Sequence, residues 1–134
     1  MQFQELERFR LSHSKWSSLI QSADEYLFKV LTESSGKGDV VPSILARKLN
    51  ISETDATALL YLFQQAGLIC PQYDVYCPET EKFIRSFESK EQIPDELYCR
   101  HHDGRTFHQK DEVLVEIVFG FTSKALEYLA VAYA

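Results

Sequence analysis

Apolar residues recur at spacings of three and four between Trp16 and Leu31. Trp16, Leu19, Ile20, Ala23, Leu27, Val30 and Leu31 form the series. That period is the signature of one buried face, and it predicts a helix over residues 14–33. The turn formers of 34-SSGKGD-39 end it. They do not make a phosphate-binding loop, because the required spacing of glycines, lysine and hydroxyl is missing. Val40 and Val41 suit a short strand. Pro42 suits the first turn of a second helix, whose buried face is Ile44, Leu45 and Leu49. Ser52 stands three residues before Asp55 in a cap-like arrangement, and Glu53 adds negative charge where a helix dipole favours it. Ala56, Leu59, Leu60 and Phe63 then form a third buried stripe, closed by Gly67. From Leu68 to Cys77, two short β-prone pieces flank 71-PQYD-74, which predicts a hairpin.

The second half changes character. Residues 82-KFIRSFES-89 alternate as a strand does, and 91-EQIPDEL-97 reads as loop. The run 113-VLVEIVFGF-121 is rich in β-branched and aromatic residues and predicts a well-buried strand. Residues 123-SKALEYLAVAYA-134 predict a helix with Leu126, Leu129, Ala130 and Tyr133 along one side. The fold class expected is therefore α+β.

Composition narrows the setting. The chain has 134 residues, of which 45% are hydrophobic and 25% charged, enough for one domain or two small modules with a core. No apolar run approaches the ~18 residues needed to cross a bilayer. The N-terminal MQFQELERFR lacks the central apolar block of a secretory signal. Three cysteines do not make a complete disulfide framework, so a reducing cytoplasm is the default expectation. Charge is uneven. Residues 1–50 carry seven Lys/Arg and six Asp/Glu, residues 51–98 three and nine, and residues 99–134 four and five. The middle block holds nearly all of the formal net charge of −6, and such a block repels a phosphate backbone.

The order helix, short strand, helix, tight turn, helix, hairpin over residues 14–78 resembles a winged helix-turn-helix domain. The resemblance is carried by 41-VPSILARKLNISETDATALLYLFQQAGLI-69. LARKLNIS looks like the second helix and turn of that family, and ETDATALLYLFQQAGLI like its third helix running into the wing. The resemblance implies a third helix that enters the major groove of DNA. Here that helix would present Glu53, Thr54, Asp55, Thr57, Ala58, Tyr61, Gln64 and Gln65, with no Lys or Arg among them. Phosphate contacts need donors, and charged donors supply most non-specific affinity. The reading preferred is a protein-facing surface centred on Thr57, Tyr61, Gln64 and Gln65. The alternative is a DNA-binding transcriptional regulator, with Arg47 and Lys48 as the local cations. A solvated helix face is the preferred reading of that pair.

A second resemblance covers residues 77–121. The frame Cys77-x₂-Thr80-x₁₈-Cys99-x₂-His102 is similar to the knuckle spacing of a zinc ribbon. CPET stands where the first knuckle would be and CRHHDG where the second would be. Imidazole is an acceptable replacement at His102, whereas Thr80 is not a structural zinc ligand. Three readings follow. In one, Cys77, Cys99 and His102 bind a structural zinc, with a fourth ligand from His101, His108 or Cys70. In the second, which is preferred, the ribbon is degenerate and keeps its shape without metal. In the third, a three-ligand zinc with an open position activates water. Cys70 reads more simply as a small buried residue.

No nucleophile elbow, metalloprotease helix or dinucleotide fingerprint is present. The expectation is a non-catalytic adaptor or regulatory subunit that recognises another protein. Its division would be a winged-helix module over residues 1–76 and a zinc-ribbon-like β module with the C-terminal helix over 77–134. Combined winged-helix and ribbon-like parts are familiar from transcription machinery and from small accessory proteins of bacterial multi-gene systems, an analogy of fold alone. The apolar strand and the tail helix are also faces through which two copies could form a homodimer, although simple core packing explains both.

Overall fold

The computed structural model describes residues 1–100 and 106–132. It is mixed helix and sheet. The elements in chain order are α1 (Glu7–Ser12), α2 (Ser17–Glu33), β1 (Asp39–Val40), α3 (Pro42–Leu49), α4 (Glu53–Gln65), β2 (Ile69–Tyr76), β3 (Phe83–Phe87), β4 (Glu96–Cys99), β5 (Thr106–Gln109), β6 (Leu114–Phe121) and α5 (Ser123–Ala132). Strands β1, β6, β2 and β3 are hydrogen-bonded neighbours in that order, and β4 and β5 form a separate pair. The chain divides into two compact units: residues 1–70 with 119–134, and residues 71–118.

The first unit is built on the predicted stripes. Ile20, Ala23, Leu27 and Leu31 of α2 are buried with Ala56, Leu59, Leu60 and Phe63 of α4. Pro42 opens α3, and Asn50 ends it in a left-handed conformation, φ 56°. The Ser52 side chain accepts the Asp55 N–H at 3.1 Å, so the predicted cap forms. The N-terminal segment, which periodicity left unassigned, contributes Phe3, Leu6 and Phe9 to the same core. It is fastened by Asp24 on α2, whose carboxylate accepts the Gln2 and Phe3 N–H groups at 2.8 Å each.

The C-terminal helix α5 also belongs to this first unit, not to the second module as the sequence suggested. Thr122 binds it there: its hydroxyl donates to the Gly67 carbonyl at 2.6 Å, and its N–H donates to that of Leu68 at 3.1 Å. The buried face of α5 is turned from the predicted one. Ala125 is fully buried and Tyr128 and Leu129 half-buried, while Leu126 and Ala130 are exposed. Tyr133 lies outside the described residues. The boundary at residue 76 likewise moves, since the first unit ends at Cys70 and resumes at Phe119.

In the second unit β2 pairs antiparallel with β3, from Tyr73↔Phe87 to Tyr76↔Phe83. The hairpin predicted around 71-PQYD-74 is therefore not there. Pro71 precedes the ladder and has no N–H to contribute to it. Asp74 sits opposite Ser86 and accepts its hydroxyl at 2.5 Å. A turn-forming side chain here serves as a cross-strand acceptor. The real turn is 77–82, closed by Cys77 N–H to the Lys82 carbonyl at 2.9 Å. Residues 96–97, read as loop, open β4. The run 113–121 does form a strand, but it is not well buried: Leu114, Val115 and Ile117 remain 42–46% exposed. A short apolar run reports β preference and cannot report whether anything covers it.

Candidate functional site

Two sets of residues stood out in the sequence, and each lies within one unit. In the second unit, β4 and β5 pair with Leu97 opposite His108 and Tyr98 opposite Phe107. Side chains alternate along a strand, and cross-strand partners share a face. Leu97, Cys99 and His108 therefore point to one side and are buried. Tyr98 and Phe107 point to the other, about half exposed, with ring centroids 5.4 Å apart. Cys77, the first residue of the turn that follows β2, reaches the buried side. Its Sγ stands 3.5 Å from His108 Nε2. The ligating atoms of Cys77, Cys99 and His108 all lie within 4.8 Å of one another, and all three residues are buried. Thr80 is no ligand here. Its backbone N–H donates to Cys77 Sγ at 3.4 Å.

The structure thus brings together three of the four residues named for a metal, Cys77, Cys99 and His108. His108, weighed from sequence only as one of several fourth ligands, is a central member. His102 and His101 lie outside the described residues. Cys70 is exposed, contrary to its reading as a buried residue, and is not part of the cluster. The signal for His108 was faint in sequence, because a lone histidine in a short strand gains meaning only when the pairing register is known.

The second set lies on α4. Thr57, Tyr61, Gln64 and Gln65 fall within about one third of the helix circumference, by 3.6 residues per turn. Tyr61 is 51% exposed and Gln65 is exposed. Tyr61 stands edge-on to Phe119, centroids 6.2 Å apart. It borders a shallow depression with Glu53, Thr54, Thr57 and Ala58. Beside it, sharing Ala58, is an apolar notch lined by His13, Trp16 and Leu62. Gln64 offers less than the sequence suggested: it is half-buried, and its Oε1 is turned inward without a hydrogen-bond partner among the described residues. No Lys or Arg occurs between Lys48 and Lys82. Arg47 and Lys48, the alternative nucleic-acid contacts, are exposed in the last turn of α3. No helix among the described residues is long and apolar enough to cross a membrane.

Comparison with protein-family models, with curated proteins and with solved structures finds no match.

Proposed function

We propose that this chain is a non-catalytic recognition protein, an adaptor or regulatory subunit, whose first unit meets a protein partner through the outer face of α4. The observation that carries the reading is the character of that face. A half-exposed tyrosine, edge-on to Phe119, sits among Thr57, Ala58 and Gln65, next to an apolar notch, and the helix has no cation. Aromatic anchors with few charges suit a protein interface. A DNA-reading helix would need donors for the phosphates that flank a groove.

The winged-helix reading is supported by connectivity. The run α2, β1, α3, α4 and the start of β2, with β6 paired to β1 at Asp39↔Gly120 and Val40↔Phe119, follows the order of that fold. The non-catalytic reading is supported by burial. Cys77 and His108, a thiol and an imidazole 3.5 Å apart, are 0% and 3% exposed, and Cys99 is 0% exposed, which argues against a thiol that meets substrate.

A pull-down with the tagged full chain, run beside a mobility shift with duplex DNA, tests the reading. The wild type and a Lys48→Glu variant are expected to retain the same protein, and Tyr61→Ala to lose it while remaining folded. Binding of duplex DNA near physiological salt, abolished by Arg47→Glu or Lys48→Glu, would establish the transcriptional regulator instead.

A further inference from the structure

We infer that the second unit binds one zinc ion through the thiolates of Cys77 and Cys99 and Nε2 of His108. The geometry is that of a tetrahedral edge. With Zn–S of ~2.3 Å and Zn–N of ~2.0–2.1 Å, a sulfur and a nitrogen on one tetrahedral ion stand about 3.5–3.6 Å apart. Cys77 Sγ and His108 Nε2 stand 3.5 Å apart, and Cys99 completes the triangle within 4.8 Å. Three residues, from the 77–82 turn, β4 and β5 and separated by up to 31 positions, converge with their donor atoms buried.

Burial and charge point the same way. Cys77 and Cys99 are 0% and His108 3% exposed. On binding, each thiol gives up its proton to solvent and the imidazole stays neutral. Two thiolates then balance the dication, and the group carries no net charge into the interior. The Thr80 N–H on Cys77 Sγ is the kind of outer contact that orients a thiolate ligand.

The second unit also needs a fastening. Its core is Val75, Phe87, Ile93, Leu97 and Val113, with Tyr73 and Ile84 against it. A module of that size rarely holds together by apolar burial alone and usually gains a disulfide or a metal. No disulfide joins the described cysteines. A zinc bound here fastens the 77–82 turn to the β4–β5 pair. Within the knuckle frame read in the sequence, position 80 supplies only an amide, and His108 brings an imidazole from β5.

Purified, reduced full-length chain is expected to carry about one zinc per molecule by elemental analysis. Cys77→Ser, Cys99→Ser and His108→Ala should weaken zinc affinity, measured by competition with a chromophoric chelator. The loss should exceed the ~10–100-fold typical of removing an outer contact. Cys70→Ser should leave it unchanged. Two further measurements separate ligation from folding. Chelator-stripped wild type given Co²⁺ should show thiolate-to-cobalt charge transfer with ligand-field bands of tetrahedral strength. His108→Cys should keep the metal and strengthen the charge-transfer band. Overturning results are reduced wild type with no zinc and no cobalt spectrum, iron or copper in place of zinc, or stoichiometric zinc retained by both cysteine variants. A Cys77–Cys99 disulfide in protein that takes up no metal after reduction would overturn it as well.

Discussion

Asp24 offers a sharp test of how the first unit is assembled. Its side chain is fully buried and receives the N–H groups of Gln2 and Phe3 at 2.8 Å. Those bonds seat Phe3, 0% exposed, edge-on to Phe28, Phe63 and Tyr128 with centroids 5.1–6.4 Å apart. A hydrogen bond to a charged group contributes ~1.5–3 kcal/mol, and a buried donor left without a partner costs ~1–3 kcal/mol. The Phe3 bond is buried and the Gln2 bond only partly so. Relief of the carboxylate's own desolvation offsets part of the loss. Asp24→Ala should therefore destabilise the unit by about 2–4 kcal/mol, and Asp24→Asn, which keeps one acceptor, by about half as much. Urea unfolding followed by the fluorescence of Trp16, the single tryptophan, reads this unit.

The pH dependence gives a second reading of the same residue. Burial pushes the Asp24 carboxyl above its ordinary value of 3.8, more strongly than the two backbone N–H bonds pull it down. The folded state thus holds that proton more tightly. The associated stability is fully present below pH 3.8 and is lost as pH rises through the folded value. The advantage of wild type over Asp24→Asn should shrink across that acid window. An Asp24→Ala variant within ~0.5 kcal/mol of wild type at neutral pH would show that the N-terminal segment is not fastened this way. So would an advantage over Asp24→Asn that grows with pH.

Two further substitutions check local structure. Gly36 has φ +79°, and a Cβ there would come 2.1 Å from Leu126 Cδ2; Gly36→Ala should cost about 1–2 kcal/mol in the same urea assay. Ser52→Ala removes the acceptor for the Asp55 N–H and should lower stability by about 1 kcal/mol, with Ser52→Asp restoring most of it.

The sequence by itself determined the helices of the first unit. Their apolar residues repeat at the helical period, and Pro42, Ser52 and Gly67 mark the ends, so local chemistry and the final fold agree. It also flagged Cys77, Cys99 and the α4 face, because ligand types and missing cations are visible without coordinates. Only the tertiary structure decided what depends on pairing between distant residues. Asp74 and Pro71 look like turn residues until β3 is laid beside β2. The strand 114–121 looks like core until its coverage is known. The tail helix looks like part of the second module until Thr122 meets the end of α4. His108 shows the reason most plainly. A strand of four residues has too little pattern to say which face is buried, and the register with β4 alone turns this imidazole toward the two sulfurs.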